Sequence, residues 1–265
     1  MTPGTPLRTT PRTFRDYERS ARDSVSQFYR DNHRYQTVAF VREKHAAFLP
    51  LRRQQFSVME ALDYLNTLVD GSDPDLRLDQ RQHLLQTAEA MRSDGQPDWM
   101  VLTGFLHDLG KVLCLMGEPQ WAVVGDTFPV GCRFDPAVVH HRFFNENPDS
   151  RIPEYTTTLG IYEAGCGFDD VLMSWGHDEY LYHVLKDYLP VQAAYVIRYH
   201  SFYAWHQKGA YAILASEIDR ERLPWLQQFS RYDLYSKSAA IVSWEQLCPY
   251  YEALIDRFLP ARIQF

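Results

Sequence analysis

Hydrophobic positions recur at helical spacing through most of this chain. Between residues 21 and 49, Val25, Phe28, Tyr29, Tyr35, Val38, Phe40 and Val41 fit a 3.6-residue period. A second stripe, Met59, Leu62, Leu65 and Leu68, follows Ser57, and Ser57 with Glu60 has the spacing of a capping box. "DGSDPD" ends that stripe with turn chemistry. Asp79 is placed to cap a helix carrying His83. Asp98 is placed to cap the next, which the apolar pattern extends to Met116, with Gly117 as its stop. Further helices are predicted over 169–175, 178–187, 191–202, 220–235 and 244–258, with Pro190 in the first turn of its helix. "EPQWAVVGDTFPVGCRF" is irregular, with room for one short strand pair, and "NENPDSRIPEY" has the composition of a surface loop. Residues 1–11, rich in Pro, Thr and Gly, are expected to be a disordered tail before one domain over 12–265. No repeat and no long alternating pattern occurs, so the fold class is all-α.

Composition narrows the function. Apolar residues make up 45% of the 265 positions, enough for a large core. The net charge is −7 and no segment concentrates Lys and Arg, which argues against nucleic acid or an anionic membrane as partner. "LRRQQ" is a short basic spot of the kind found at a solvated helix end. Cys114, Cys132, Cys166 and Cys248 are scattered without a Cys-x-x-Cys pair, so free thiols in a reducing compartment are expected. Neither a signal core nor a bilayer-length apolar run is apparent, and the expectation is a cytoplasmic protein.

Several apolar helices are interrupted by groups that bind metals. "GFLHDLGKVL" carries His107, Asp108 and Lys111 in the middle of a core-facing pattern. Adjacent helical residues point about 100° apart, so His107 and Asp108 can straddle a metal ion, and Lys111 lies one turn on. Buried aspartate is costly without a strong partner, and a cation is one. Taken alone, a His-Asp pair is ordinarily a hydrogen-bonded pair at a core margin. But His83 interrupts "RQHLLQTA", His177 and Asp178 begin "WGHDEYLYHVL", His200 lies in "VIRYHSFYAWH" and Asp233 in "FSRYDLYSK". Four histidines and two aspartates from different helices suffice for two ions, and the lack of cysteine disfavours a closed structural zinc site.

The order His83, His107-Asp108, Asp233 resembles the HD-domain superfamily, and within it the chain is more closely similar to the inositol oxygenase family. "HRYQTVAFVREKHAAF", "VMEALDYLNTLVDGSDPD", "QTAEAMR", "VLTGFLHDLGKVL", "GEPQWAVVGDTFPVGCRF", "VLMSWGHDEY", "HSFYAWH" and "YDLYSK" look like that family's blocks, in order, from about Phe14 to the C-terminus. The HDxGK element is shared with many HD phosphohydrolases; "GEPQWAVVGDTFPVGC" with "MSWGHDEY" is far more specific. The resemblance implies an HD-like helical bundle with two iron ions per chain, mixed-valent Fe(II)/Fe(III), that cleaves the ring of myo-inositol with O2 to give D-glucuronate and water. Carried over, one iron takes His83, His107 and Asp233, the other His177 and His200, and Asp108 bridges them. Asp108 and Lys111 would be the catalytic pair. Substrate contacts would come from Arg15, Asp70, Gly71, Ser72, Lys111, Gly125, Asp126, His200, Ser201 and Lys237. Gly71 stands where the family has an acidic residue, leaving its backbone as the contact, and Ala204 stands where proline is common. Without the resemblance, Asp70, Ser72, Asp126 and Gly125 would be turn residues, and Arg15 and Lys237 surface cations. A monomer is expected. The alternatives are an HD-type metal-dependent phosphohydrolase, in which Lys111 would bind phosphate, and a helical scaffold with a relict metal site.

Overall fold

In the computed structural model, residues 23–68, 80–235 and 243–265 are described. The pattern over 21–49 resolves into two helices, α1 (Asp23–Tyr35) and α2 (Val38–Phe48). Thr37 separates them, its hydroxyl capping the second by accepting from Phe40 N–H. Gln36, at the break, is buried: its amide donates to the Trp175 carbonyl at 2.6 Å and accepts from Trp175 N–H at 2.9 Å. That side chain therefore pins the strand-like segment leading to His177.

β1 (Gln55–Phe56) precedes α3 (Val58–Leu65), which begins with both halves of the Ser57–Glu60 capping box. Asp79 lies outside the described residues; α4 (Gln80–Ser93) follows it. α5 (Asp98–Leu106) starts with Pro97 at the N-cap position, so Asp98 sits in the first turn rather than capping it. The long helix expected to reach Met116 stops at Leu106. His107 and Asp108 form the junction, and a 3₁₀ segment, Leu109–Met116, carries on to Gly117. Length and composition alone would let Asp98–Met116 cross a membrane, contrary to the sequence expectation, but 78% of its most apolar window is buried inside the fold.

α6 (His177–Leu185), α7 (Val191–Tyr199), α8 (Tyr203–His206), α9 (Glu217–Tyr235) and α10 (Trp244–Phe258) complete the helices, and β2 (Ile263–Gln264) pairs antiparallel with β1, Phe56 opposite Ile263. Pro190 is the N-cap of α7 rather than a residue of its first turn. Two segments differ more from expectation. Residues 169–175 are not helical beyond a 3₁₀ turn at Phe168–Asp170, because their backbone is used by a distant segment: Val130 N–H donates to the Leu172 carbonyl and Ser174 N–H to the Phe128 carbonyl. "NENPDSRIPEY" is a run of 3₁₀ turns with a buried anchor, Asn147, whose amide donates to the His33 and Gln36 carbonyls.

The core is continuous across α2 to α10, with Phe105 stacked on Tyr251 and Trp205 against Phe168. Two glycines let backbones approach within it. A Cβ on Gly104 would lie 2.9 Å from the Met91 sulfur and 3.2 Å from Ala88 Cα, so α4 and α5 close together. On Gly110 it would lie 2.2 Å from the His177 carbonyl oxygen, so the 3₁₀ segment lies directly on the start of α6. These contacts draw His83 and His177 toward the His107–Asp108 junction.

Candidate metal centre

Six side chains from five parts of the fold meet at that junction. α4 contributes His83 and α9 contributes Asp233. His107 and Asp108 come from the turn after α5, His177 opens α6, and His200 caps the end of α7. The break in the apolar helix is what aims the pair: Asp108, at φ −94° and ψ 0°, leaves the helical path and turns its carboxylate inward.

The six form two groups that share Asp108. In the first, Asp108 Oδ2 lies 3.4 Å from His83 Nε2 and 3.5 Å from His107 Nε2, while Asp233 Oδ1 lies 3.3 and 3.4 Å from the same two nitrogens. In the second, Asp108 Oδ1 lies 3.3 Å from His177 Nε2 and 3.8 Å from His200 Nε2, and those nitrogens are 3.3 Å apart. Each group has the dimensions of a metal site.

The imidazoles are oriented from behind. His107 Nδ1 lies 2.9 Å from the Gly104 carbonyl, His177 Nδ1 2.8 Å from that of Val123, and His200 Nδ1 2.9 Å from that of Ile197. A carbonyl only accepts, so each Nδ1–H donates and each Nε2 faces inward, where on losing its proton it can offer a lone pair to a metal. Carboxylate oxygens and imidazole lone pairs converging in a buried space repel unless a cation lies among them. The donor set is nitrogen and oxygen only, which suits iron and excludes a thiolate zinc site.

Electrostatics agree. Burial alone would raise the Asp108 carboxyl, but Lys111, His107 and the other histidines hold it well below the usual carboxylate range. Burial opposes ionisation of Asp233 too, and His107 and His83 hold it well below that range. Burial would lower His177, yet the charges of Asp178 and Asp108 raise it to about 10. The negative field that favours a proton on this nitrogen favours a metal cation there equally.

The remaining predicted residues divide. Lys111 is buried with Nζ 2.9 Å from Asp108 Oδ2, so its ammonium faces the shared carboxylate. Ser201 abuts the second group, Oγ 3.5 Å from His177 Nε2. Gly125 has φ +99°, and Asp126 next to it accepts a long hydrogen bond, 3.4 Å, from the Tyr29 hydroxyl. Arg15, Asp70, Gly71, Ser72 and Lys237 lie outside the described residues. Ala204 is buried within α8.

Two residues that sequence reasoning left without a role belong to the surroundings of the site. Asp178 is buried beside the second group, Oδ1 2.7 Å from His177 Nε2 and 3.4 Å from His200 Nε2. Arg198, in the apolar α7, makes a two-pronged ion pair with Glu179 of α6, Nε to Oε2 at 2.8 Å and Nη2 to Oε1 at 3.0 Å. The pair bolts together the helices that bear His177 and His200. A charged residue inside an apolar helix was the available signal for Arg198; Asp178, at the start of its helix, carried none.

The profile of the family described as Myo-inositol oxygenase matches residues 22–265. The chain is 52% identical to "Inositol oxygenase 1" of Arabidopsis thaliana over 263 residues, covering 96% of this chain and 85% of that protein. It is 51% identical to "Inositol oxygenase" of Bos taurus over 243 residues, covering 90% of this chain and 85% of the relative. The protein of the same name from Sus scrofa is 50% identical over 243 residues, with 90% and 86% covered.

Proposed function

Since the chain belongs to the myo-inositol oxygenase family, we infer that it is an iron-dependent oxygenase whose substrates are myo-inositol and O2. It cleaves the inositol ring to D-glucuronate and water. The observation that carries this reading is the pair of nitrogen–oxygen donor groups sharing Asp108. Iron, when bound, supplies the one-electron chemistry with O2 that side chains lack.

The finer assignment is part of the same proposal. Two iron ions per chain, mixed-valent, would be held by His83, His107 and Asp233 on one side and by His177 and His200 on the other, with Asp108 common to both. The opposite directions of Asp108 Oδ1 and Oδ2 support it. Myo-inositol is an uncharged polyol and requires many hydrogen-bond partners in place of water. Lys111, Gly125, Asp126, His200 and Ser201 would supply part of that set, and Arg15, Asp70, Gly71, Ser72 and Lys237 the rest. Lys111 would favour loss of a hydroxyl proton from the bound polyol through its charge. One domain over 12–265, a monomeric state and a cytoplasmic location, with neither nucleic acid nor membrane as partner, complete the proposal. The large core shared by α2 to α10 supports the first of these.

The phosphohydrolase reading has less behind it, because Lys111 is already paired with the Asp108 carboxylate and the matched family is myo-inositol oxygenase over residues 22–265. Metal analysis with electron paramagnetic resonance, with and without myo-inositol, tests the iron assignment. Two irons per chain with a signal that shifts on adding inositol are expected; one tightly held zinc and no gain of activity with iron would contradict it.

A further inference from the structure

Asp178 is fully buried, and its two oxygens have unlike surroundings. Oδ2 accepts from the Ser201 backbone N–H at 3.0 Å and from the Thr127 hydroxyl at 3.1 Å. Oδ1 lies 2.7 Å from His177 Nε2 and 3.4 Å from His200 Nε2, and among the described residues it has no other donor within reach. Both imidazoles commit Nδ1–H to backbone carbonyls, so once a metal takes the lone pairs of their inward nitrogens neither has a proton left to give Oδ1. A cation held by those nitrogens would balance the charge of Asp178. It would still leave Oδ1 an acceptor without a donor, and such an atom is costly to bury.

The surroundings say what kind of donor belongs there. Thr127 N–H donates to the Ser201 carbonyl at 3.0 Å, so Asp178, Thr127 and Ser201 form a closed triangle. Gly125 and Asp126 lead directly into Thr127, and His200 precedes Ser201. The triangle therefore ties the Gly125–Thr127 segment to the His200–Ser201 segment, with the unused oxygen beside the two imidazoles. A carboxylate oxygen only accepts, so it calls for an O–H or N–H donor, and an uncharged polyol offers O–H.

We propose that Asp178 Oδ1 accepts a hydrogen bond from one hydroxyl of the polyol bound at the second donor group, and that Thr127 is the positioning residue that holds the carboxylate for it. The proposal rests on the reading that myo-inositol binds beside His177 and His200. Asp178→Asn suits the test, since the amide oxygen can still accept from Ser201 and Thr127 while the other half becomes a donor. Thr127→Val removes only the hydroxyl, and Thr127→Ser restores it.

The measurement is the dissociation constant of myo-inositol and of its monodeoxy analogues with iron-loaded protein under nitrogen, with iron content determined in parallel. Asp178→Asn is expected to keep its iron and bind myo-inositol about tenfold more weakly or worse, as loss of a hydrogen bond to a charged group requires. One monodeoxy analogue, lacking the hydroxyl that Asp178 accepts, should bind wild type and variant equally. Thr127→Val should weaken binding in the same direction by less, and Thr127→Ser should return it to wild type. Unchanged affinity in Asp178→Asn, an equal loss for every analogue, or loss of iron would each overturn the proposal. Failure of iron-loaded wild type to bind myo-inositol would instead defeat the reading on which it rests.

Discussion

Gly110 and His177 touch so closely that a methyl group on the Gly110 α-carbon would lie 2.2 Å from the His177 carbonyl oxygen. The contact seats the first residue of α6 on the segment that follows Asp108, and so sets the distance between the two donor groups. Gly110→Ala must push these backbones apart. It is expected to lower stability by about 2 kcal/mol or more, as overpacking does, and to reduce bound iron. Thermal unfolding together with metal analysis checks this; a variant with wild-type melting and full iron content would show that the spacing tolerates change.

Asp108 faces a different pair of histidines with each oxygen, and so joins the two groups. Asp108→Asn should therefore deplete iron and abolish turnover. His140→Ala is the comparison. His140 precedes the 3₁₀ turn His141–Glu146 and is buried against Tyr29, with ring centres 5.0 Å apart. Its loss should cost packing and leave iron content alone. Equal iron content in both variants would remove Asp108 from its proposed place.

Lys111 separates binding from catalysis. A protonated lysine donates only and cannot ligate a metal, and its ammonium lies 2.9 Å from Asp108 Oδ2. Lys111→Ala should keep iron near the wild-type level while glucuronate formation falls about a hundredfold, the usual scale for removing a charge from a dry active site. Steady-state rates measured beside metal content decide the point; if iron disappears with activity, the residue is structural.

Glu179 gives a pH signature. Burial would raise its carboxyl, but the His183 hydrogen bond and the Arg198 guanidinium outweigh burial and bring it from the ordinary 4.5 down to about 2. A depressed carboxyl stabilises the fold fully above its unfolded value and loses that contribution as pH falls toward the folded one. Glu179→Gln should thus cost a few kcal/mol at pH 7, since Arg198 loses its two-pronged carboxylate and keeps only Asp169, itself largely exposed. The penalty relative to wild type should shrink between about pH 4.5 and 2. Chemical denaturation of both proteins across that range tests it, and a gap that does not vary with pH would show that the ion pair contributes nothing through ionisation.

Local chemistry was legible in the sequence. Ser57 and Glu60 cap α3 as their spacing implied, and the stripe over 244–258 is a helix with those bounds, because the determinants lie within a few residues of one another. The ligand residues were legible for a related reason: charged and imidazole groups inside apolar helices need partners. Features imposed from a distance were not. The apolar pattern runs through Leu106 to Met116 without a breaker, yet the helix ends at His107 because Asp108 must turn inward and Gly110 must lie against His177. Residues 169–175 look helical but spend their backbone on Phe128 and Val130. Asp178 resembled an ordinary acidic residue at a helix start until Thr127 and Ser201 were seen to hold it.

The central claim is tested most directly by incubating the iron-loaded protein with myo-inositol in air and under nitrogen, assaying glucuronate while screening phosphomonoesters and nucleotides for phosphate release. The account predicts glucuronate in air, none under nitrogen, none from protein stripped of iron, and no phosphate released in either atmosphere. Oxygen-independent phosphate release that depends on Lys111, with no glucuronate in air, would contradict it.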